Sequence, residues 1–258
     1  MTRVTQTFII IARHLKLWRL KNESVLYPFK SPKIRFQNEF IDTWPHAITT
    51  MPDTEVILIR HGETEWNVAK RFQGHKDSDL TENGKQQVEA LGTRFQDEDL
   101  DQLYSSDLLR TQKTAKPVSL GTGCQVELDV RLREKNLGIF EGLNVPEIQE
   151  QHPKAYKAFR EGGARYRIES GESTLDHLVR ALGFLEEIPQ KHEGQKVGIV
   201  THGGFIRVIL KNSLGMSQDT PTRFTIPNTS IHRIVWKKDQ WIVNSMGDVS
   251  HLNGFSKT

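Results

Sequence analysis

Two short segments that end in His-Gly are the places in this sequence where chemistry is most clearly indicated. They are residues 58–62 (LIRHG) and residues 198–203 (GIVTHG). Each begins as an apolar run, which is typical of a buried parallel strand, and its glycine allows a sharp turn. Because open α/β sheets bind ligands at the carboxyl ends of their strands, we expect His61 and His202 at such an edge. Two imidazoles there, one beside Arg60, indicate chemistry on an anionic group.

Two further segments, residues 105–111 (SSDLLRT) and 131–142, also follow predicted strands and carry charged side chains. Arg110 lies in the first of them. Its planar guanidinium, like that of Arg60, can bind two phosphate oxygens at once. In a doubly wound sheet all four segments can converge on one edge, which would form an anion site.

A phosphate at that edge would meet groups able to transfer it. One nitrogen of His61 could attack phosphorus if a hydrogen bond holds the other nitrogen. Glu134 could protonate the leaving alkoxide, which requires a raised pKa, as expected beside a bound phosphate. The residues therefore predict phosphoryl transfer by positioning and charge neutralisation, without a metal.

Each of these residues also has an ordinary structural interpretation. A histidine after a strand is often structural, Arg110 could be a solvated helix residue, and Glu134 could be a surface charge in a basic segment. His61, His202 and Glu134 could also form a 2-His-1-carboxylate metal site, although Arg60 would repel a cation there. The residue types alone leave these alternatives open.

The elements that must position these side chains alternate along the chain. This alternation predicts an α/β fold, a mostly parallel sheet with helices on both faces. The predicted strands cover residues 56–60, 101–104, 126–128, 196–200, 230–236 and 241–245. The predicted helices cover residues 85–96, 107–116, 146–160, 174–190 and 204–214. Thr81 is the expected N-cap of the first, Gly84 a weak spot near its start, and Pro117 the expected end of the second.

The first fifty residues differ in charge from the rest of the chain. The 258-residue sequence has a net charge of +3, yet residues 1–50 hold eight Lys or Arg against three Asp or Glu. Residues 51–258 are therefore net acidic, which does not support a nucleic-acid footprint on that part. We predict an N-terminal extension at 1–52, poorly ordered or targeting, and one folded domain at 53–258. An extension without function, a targeting or surface-binding tail and a structural addition all remain open.

Composition also limits the compartment. Cys124 is the single cysteine, so no intramolecular disulfide can form, and a reducing compartment is favoured. No apolar run approaches the ~20 residues of a spanning helix, and no membrane partner is expected. We predict a cytoplasmic protein, with organellar targeting by residues 1–50 as the alternative.

Residues 60–64 (RHGET) resemble the signature of the histidine phosphatase superfamily, in its phosphoglycerate mutase-like branch. The resemblance covers residues 54 to about 253 and does not include residues 1–50. Further similar segments follow in the same order as in that branch: RFQG at 71–74, DLT at 79–81, SSDLLRT at 105–111, LRE at 132–134, GES at 171–173, THG at 201–203, NTS at 228–230 and GDVSHL at 247–252.

This resemblance implies a phosphoglycerate mutase-like fold and a role for each matching residue. His61 would be the nucleophile that becomes phosphorylated, and Glu134 the proton donor and then the base for water. Arg60 and His202 would complete the catalytic set. Glu63 lies in the signature but is given no chemical role. The implied substrate-binding residues are Arg60, Asn67, Gln73, Gly74, Arg110, His202 and Gly203.

The resemblance further implies a phosphomonoesterase of broad-specificity type acting on a small phosphorylated metabolite, as a monomer or homodimer. The segment from Glu141 to Glu172 is short and has no proline run, unlike that of cofactor-dependent mutases. No cofactor is therefore expected. The alternative is a phosphoglycerate mutase that needs 2,3-bisphosphoglycerate, and a more distant one is an inactive phosphate-binding protein. One further group of side chains is expected either to cover the pocket or to form a solvated loop. These are Arg160, Arg165, Tyr166 and Arg167.

Overall fold

The structure is a computed structural model that describes residues 52–253. The predicted N-terminal extension therefore lies, except for its last residue, outside the described residues. At the core of the described part is one sheet of six strands. These are Thr54–Arg60 (β1), Gln102–Ser105 (β2), Val126–Leu128 (β3), Lys196–Thr201 (β4), Ile231–Lys237 (β5) and Gln240–Asp248 (β6).

The order of the strands confirms a mostly parallel sheet. They are arranged β3-β2-β4-β1-β5-β6, and the first four of that order run parallel. The predicted closing pair, β5 and β6, forms an antiparallel hairpin beside β1. Lys238 and Asp239 at its turn both have positive φ, as a tight hairpin turn with right-handed twist requires.

Helices cover both faces of the sheet, as predicted. Side chains of a strand alternate between the two faces, and β1 divides accordingly. Val56 and Leu58 belong to the apolar cluster that includes Phe205, whereas Ile57 and Ile59 belong to a second cluster. The α-helices are Glu65–Val68 (α1), Glu82–Arg94 (α2), Leu109–Thr122 (α3), Val145–Gln151 (α4), Pro153–Glu161 (α5), Thr174–Leu185 (α6), Ile188–Lys191 (α7) and Gly203–Ser213 (α8).

A third apolar cluster lies apart from these two and includes residues from α4 and α5. Its buried members are Phe140, Ile148 and Ile168, with Phe72 and Phe159 packed against them. Edge-to-face contacts between the rings, with centroids 5.7 Å apart for Phe140 and Phe159, hold it together. This cluster supports the segment beside the site described below.

The prediction that Pro117 ends its helix was wrong. Helix α3 continues through Pro117 to Thr122, and Gly123 with φ of 77° ends it. A proline inside a helix costs about 3 kcal/mol, so packing must offset the loss. Pro117 is the contact point with α2: a Cβ on Gly92 would lie 2.7 Å from the Pro117 Cβ. The close approach of the two helices therefore outweighs the missing hydrogen bond.

Two predicted helices are each divided in two. The predicted helix 146–160 is interrupted at His152, whose φ and ψ of −133° and 49° are not helical. The residue before a proline avoids the helical region, and Pro153 follows. The predicted helix 174–190 ends at Leu185, because Pro189 has no N–H to donate to the Leu185 carbonyl. Within residues 52–253, no helix has the length and apolar character needed to cross a membrane.

Candidate active site

His61 and His202 lie side by side because they follow neighbouring parallel strands. Strand β1 pairs with β4 so that Arg60 is opposite Thr201, and each histidine is the next residue. The backbone N–H of His61 donates to the Thr201 carbonyl over 3.0 Å. The two imidazole centroids are 5.3 Å apart. The predicted convergence of the two His-Gly segments is therefore what the sheet register produces.

The His61 ring is held in one tautomer. Its Nδ1 is 2.8 Å from the Gly62 carbonyl oxygen, which can only accept, so Nδ1 carries the proton. Nε2 has no hydrogen-bond partner within residues 52–253, and His61 lines a cavity. Burial, followed by the charges of Arg110 and Arg60, holds the pKa of His61 well below its usual range. The unprotonated Nε2 of a neutral imidazole is the form that can attack phosphorus.

The loop that carries His61 is fixed by hydrogen bonds to other elements. The Gly62 N–H donates to Thr114 Oγ1, and the Glu63 N–H donates to Gln87 Oε1, both over 3.0 Å. Asn228 Nδ2 donates to the His61 carbonyl, also over 3.0 Å. Sequence reasoning did not assign these roles to Gln87 and Thr114, because each lies within an amphipathic helix and looks like an ordinary polar residue.

The second histidine is buried and neutral as well. His202 Nε2 is 3.0 Å from Ser106 Oγ, which follows strand β2 on the other side of β4. Its Nδ1 is buried and has no partner among the residues that the structure describes. Burial, with the charges of Arg110 and neighbouring histidines, holds the pKa of His202 well below its usual range.

Arg110 is buried, with only 1% of its surface exposed, and its outer nitrogens are already bonded. Nη1 donates to Asp77 Oδ1 over 2.6 Å, and Nη2 donates to the Gly74 carbonyl over 2.8 Å. The Nε atom is buried and unpartnered within 52–253. Burial lowers the pKa of Arg110 while Asp77 raises it, and the net shift is downward from a value so high that the group stays charged.

Arg60 follows the same pattern. Its Nη1 donates to the Ile226 carbonyl over 2.6 Å, and its buried Nε has no partner in the described part of the chain. Burial lowers its pKa to about 10, so it is a cation at neutral pH. Buried polar atoms are normally hydrogen-bonded, and unpartnered nitrogens on Arg60, Arg110 and His202 around one site fit an anionic group with several oxygens.

Glu134 lies at the same site and lines the same cavity. Its Oε1 accepts from the Lys135 N–H over 2.8 Å, and its Oε2 accepts from the Gly204 N–H over 2.9 Å. Burial acts to raise the pKa of Glu134, but His177, these two N–H groups and Arg110 together bring it below its usual range. His177, with a pKa of about 4, is neutral near pH 7, so the N–H groups and Arg110 are the effective contributors.

In the site without a ligand the pKa of Glu134 is therefore lowered, and the raised pKa expected beside a bound phosphate stays a prediction. The sequence showed a carboxyl between two basic residues, but it could not show two backbone N–H groups directed at it. A phosphate dianion beside Glu134 would add the like-charge repulsion that raises the pKa.

The remaining predicted binding residues lie around the same cavity, and two of them act through neighbours. Thr64 is the N-cap of α1, and Asn67 Oδ1 accepts from the Thr64 backbone N–H to complete the capping box. Gln73 Nε2 donates to Thr64 Oγ1 over 2.8 Å. Gly74 has φ of 56° and presents its carbonyl to Arg110. A Cβ on Gly203 would lie 3.3 Å from Arg60 Nε, so this glycine leaves room for the Arg60 side chain.

The cavity has a volume of about 660 Å³, enough for a small metabolite. Of the four side chains predicted to cover it, Arg160 lines it. Arg167 instead pairs with Asp176 over 2.8 Å, and the Tyr166 hydroxyl donates to the Ala155 carbonyl. Arg165 is exposed on a short 3₁₀ turn and does not line the cavity.

The cavity is also lined by residues that sequence reasoning did not single out as site residues, among them Lys135, His177 and Arg207. His177 is buried on α6, and its Nε2 has no partner in residues 52–253. A histidine inside a predicted helix gave no signal of a site. Arg207 follows the Thr-His-Gly-Gly segment by one helical turn of α8, a spacing that could have drawn attention to it.

The sequence left open a metal site formed by His61, His202 and Glu134, and the arrangement of side chains in the structure bears on that alternative. Across the described residues, no group of three or more His, Cys, Asp or Glu side chains is arranged to hold a metal ion. Two positively charged arginines adjoin the histidine pair instead. Independence from metal remains a prediction, with a test given below.

Comparison with known proteins places this site in a family of enzymes. The family model of the histidine phosphatase superfamily (branch 1) matches residues 56–249. The chain therefore belongs to the histidine phosphatase superfamily. This confirms the family resemblance, and with it the expectation that the protein is an enzyme.

Its relatives carry both mutase and phosphatase names. A probable phosphoglycerate mutase GpmB from Erwinia tasmaniensis is 37% identical over 203 residues, 77% of this chain and 94% of that protein. The solved structure of Bacillus stearothermophilus YhfR is 36% identical, has a TM-score of 0.71, and covers 77% of this chain and 99% of its own. A mycobacterial glucosyl-3-phosphoglycerate phosphatase is 28% identical with a TM-score of 0.68, covering 76% and 99%.

Proposed function

We propose that this protein is a phosphomonoesterase that acts through a phosphohistidine at His61 on a small phosphorylated metabolite. The observation that carries the proposal is the state of the His61 ring. Nδ1–H is bound to the Gly62 carbonyl, Nε2 is unpartnered among the described residues, and the ring is neutral. The cations Arg60 and Arg110 adjoin it, with buried nitrogens available to an anion.

In the first step, His61 Nε2 attacks phosphorus and the bond between phosphorus and the ester oxygen breaks. Arg60, Arg110 and His202 bind the phosphoryl oxygens whose charge must be stabilised in the transition state. The proton on Nδ1 remains hydrogen-bonded to the Gly62 carbonyl and supports the positive charge that forms on the ring. Glu134 gives a proton to the departing alkoxide, its pKa raised by the bound phosphate.

In the second step, water attacks the phosphohistidine. Glu134, now ionised, takes a proton from that water, and the bond between phosphorus and Nε2 breaks to release phosphate. The two N–H groups that hold the Glu134 carboxylate favour its ionised form, which is the form this step needs. One carboxyl can therefore serve as acid and then as base.

A phosphoglycerate mutase is the second candidate, and the name of the 37% identical relative favours it. A mutase must keep its phosphohistidine away from water until the acceptor binds. The segment from Glu141 to Glu172 is short, and the cavity beside it is open enough for Arg160 and Arg207 to be exposed. These features, and the phosphatase names of solved neighbours, support hydrolysis.

A panel of phosphoesters distinguishes the two candidates. It should include 3-phosphoglycerate with and without 2,3-bisphosphoglycerate, with phosphate release and isomerisation measured in parallel. If the protein is a phosphatase, it should release phosphate from several esters at rates that do not depend on 2,3-bisphosphoglycerate. Appearance of 2-phosphoglycerate only when the bisphosphate is added, with little free phosphate, would establish the mutase instead. Binding of phosphate without turnover of any ester would indicate an inactive binding protein.

A further inference from the structure

The cavity beside His61 contains more positive charge than one phosphoryl group requires. Seven of its lining residues are Arg or Lys and only Glu134 is acidic. Two of the seven, Arg60 and Arg110, adjoin the histidine pair and are assigned to the phosphoryl group. The other five are Arg71, Lys135, Arg160, Arg207 and Lys211.

Two of those five are fully engaged in structural contacts. Arg71 pairs with Glu147 through two hydrogen bonds of 2.5 and 2.8 Å. The Lys211 ammonium donates to the carbonyls of Gln218 and Thr220 over 2.7 and 2.6 Å, which fixes the loop after α8. Contacts within the protein therefore account for the positions of both side chains, and neither is assigned to a ligand.

The other three, Lys135, Arg160 and Arg207, form no ion pair with any residue in 52–253. Lys135 is half-buried, its ammonium 5.6 Å from the Phe159 ring centroid, and its one hydrogen bond goes to Thr174 Oγ1 at 3.2 Å. Burial lowers the pKa of Lys135, and the more distant carboxylates of Glu134, Glu172 and Asp176 offset only part of that effect. A partly buried ammonium without a direct ion pair carries a desolvation cost that a bound anion would reduce. Arg207 lies on the same helix that begins at Gly203, one turn into it.

A buried polar atom in the same cavity also lacks a partner. His177 is 1% exposed, and its Nε2 has no hydrogen bond among the described residues. Its ring packs against Phe205 at 6.0 Å between centroids. Buried side-chain nitrogens without partners are rare, so a ligand that reaches this wall of the cavity would satisfy His177.

We propose that Lys135, Arg160 and Arg207 form a second anion subsite in this cavity, and that the natural substrate is a phosphomonoester carrying a further carboxylate or phosphate group. The proposal rests on the proposed phosphatase function, because it assigns the part of the substrate beyond the reacting ester. The His177 side chain would contribute a hydrogen bond to that same part.

Matched pairs of esters test the subsite. 3-Phosphoglycerate and glycerol 3-phosphate share a three-carbon phosphoester and differ by a carboxylate in place of a hydroxymethyl group. Propane-1,3-diol bisphosphate and 3-hydroxypropyl phosphate differ by a second phosphate. We expect kcat/KM to favour the acidic member of at least one pair by roughly ten- to hundredfold, as for hydrogen bonds to a charged group. The preferred pair identifies the anion as carboxylate or phosphate.

Single variants then assign the preference to these residues. Arg207→Gln and Arg160→Gln remove exposed charges, and we expect each to reduce the ratio within the preferred pair about tenfold, mainly through KM. Lys116→Gln, an exposed lysine on α3 outside this cavity, is the matched control and should leave the ratio as in wild type. A wild-type ratio below about two in both pairs, or equal ratios in the Arg207→Gln and Lys116→Gln proteins, would overturn the proposal.

Two measurements separate this failure from failure of the proposed function. Hydrolysis of p-nitrophenyl phosphate, which has no second anion, reports on phosphatase activity alone. Calorimetric binding of each matched ester to the His61→Ala variant reports on the subsite without turnover. Turnover of p-nitrophenyl phosphate with no preference in either pair would overturn the subsite only. Tighter binding of the acidic ester to His61→Ala, together with no turnover of any ester by the wild-type protein, would support the subsite and overturn the phosphatase function.

Discussion

At the residue scale, the site combines two imidazoles kept neutral with two guanidinium groups kept charged. Burial and the neighbouring arginines hold the pKa of His61 and of His202 down, whereas Arg60 remains a cation. A neutral nucleophile in a positive environment is what attack on a phosphate dianion requires. The acid that must assist the leaving group, Glu134, is the member of the set that begins in the wrong protonation state.

That state gives a prediction for Glu134→Gln, which keeps the shape but cannot transfer a proton. Hydrolysis of an alkyl phosphate should slow by roughly 10²–10⁴-fold, as for a lost general acid. The burst phase with p-nitrophenyl phosphate, whose leaving group departs without a proton, should slow far less. Burst rates isolate the first step, since Glu134 also assists the later attack of water.

The measurement that decides this prediction compares how much Glu134→Gln slows the burst phase with the alkyl ester and with the aryl ester. Losses of equal size on the alkyl and aryl esters would mean that Glu134 shapes the pocket and that the proton comes from another group. A Gly204→Ala variant provides a structural comparison, because its Cβ would lie 2.0 Å from Glu134 Oε1 and displace the carboxyl. It should impair both esters.

Metal dependence is a separate prediction at this scale. Activity should be unchanged by EDTA, because Arg60, Arg110 and His202 supply the positive charge that a metal would bring. Phosphate release is measured before and after chelation, with dialysis to remove bound ions. Complete loss that zinc or manganese restores would favour the 2-His-1-carboxylate interpretation.

How much of the site could be predicted from the sequence depends on the origin of each residue. His61, His202 and Arg60 were accessible because they follow apolar strands, and strand register alone brings them together. Thr114 and Gln87 were not, because they reach the site from the interior of helices whose packing the sequence does not specify. The same applies to His177, a polar residue on the inner side of α6.

At the element scale, the start of α2 shows how closely a helix can depend on the site loop. Gly84 looked like a weak position in that helix, since glycine costs about 1 kcal/mol relative to alanine there. In the structure a Cβ on Gly84 would lie 2.0 Å from the Glu63 carbonyl oxygen. The glycine allows the helix to touch the backbone two residues after the nucleophile.

Gly84→Ala should therefore destabilise the protein despite its better helix propensity. We expect a loss of roughly 1–3 kcal/mol in the free energy of unfolding, as for an overpacked site, together with reduced activity. Gly183→Ala in α6 is the matched control, because its Cβ would meet nothing within 4 Å. That control should be neutral or stabilising by up to about 1 kcal/mol. Denaturant unfolding checks both, and equal stability of the two variants would contradict the account.

The errors at this scale share one cause. Strands were predicted well because apolar runs bounded by polar residues mark them, and six of six were found. Helix ends near proline were not. Pro117 is tolerated inside α3 because of its contact with Gly92, whereas Pro153 and Pro189 begin new helices. A local rule cannot distinguish these cases, because the contact that keeps Pro117 inside α3 lies on another helix.

At the scale of the whole molecule, several buried histidines are held neutral. His177 and His232 each have a pKa lowered to about 4 by burial, and the site histidines are lowered as well. Unfolding exposes all of them to water, where their pKa is about 6.5. The unfolded chain therefore binds more protons than the folded chain between about pH 6.5 and 4.

Stability should accordingly fall as the pH falls through that window. His177 and His232 should each cost about 2 kcal/mol at pH 5 relative to pH 7.5, with the loss complete below about pH 4. Urea unfolding at the two pH values measures this difference. In the His177→Leu variant, the loss of stability between pH 7.5 and pH 5 should be smaller by about the 2 kcal/mol assigned to His177. An unchanged pH dependence in that variant, or a wild-type protein equally stable at both pH values, would contradict this prediction.

The central claim is that His61 carries the phosphoryl group, and rapid-quench trapping tests it most directly. Wild-type protein is mixed with a ³²P-labelled ester, quenched in base within the burst phase, and digested for mass spectrometry. We expect an acid-labile phosphate on Nε2 of His61, and a His61→Ala variant whose kcat is many orders of magnitude lower. Label on a residue other than His61, or His61→Ala retaining more than about a tenth of wild-type kcat, would contradict it.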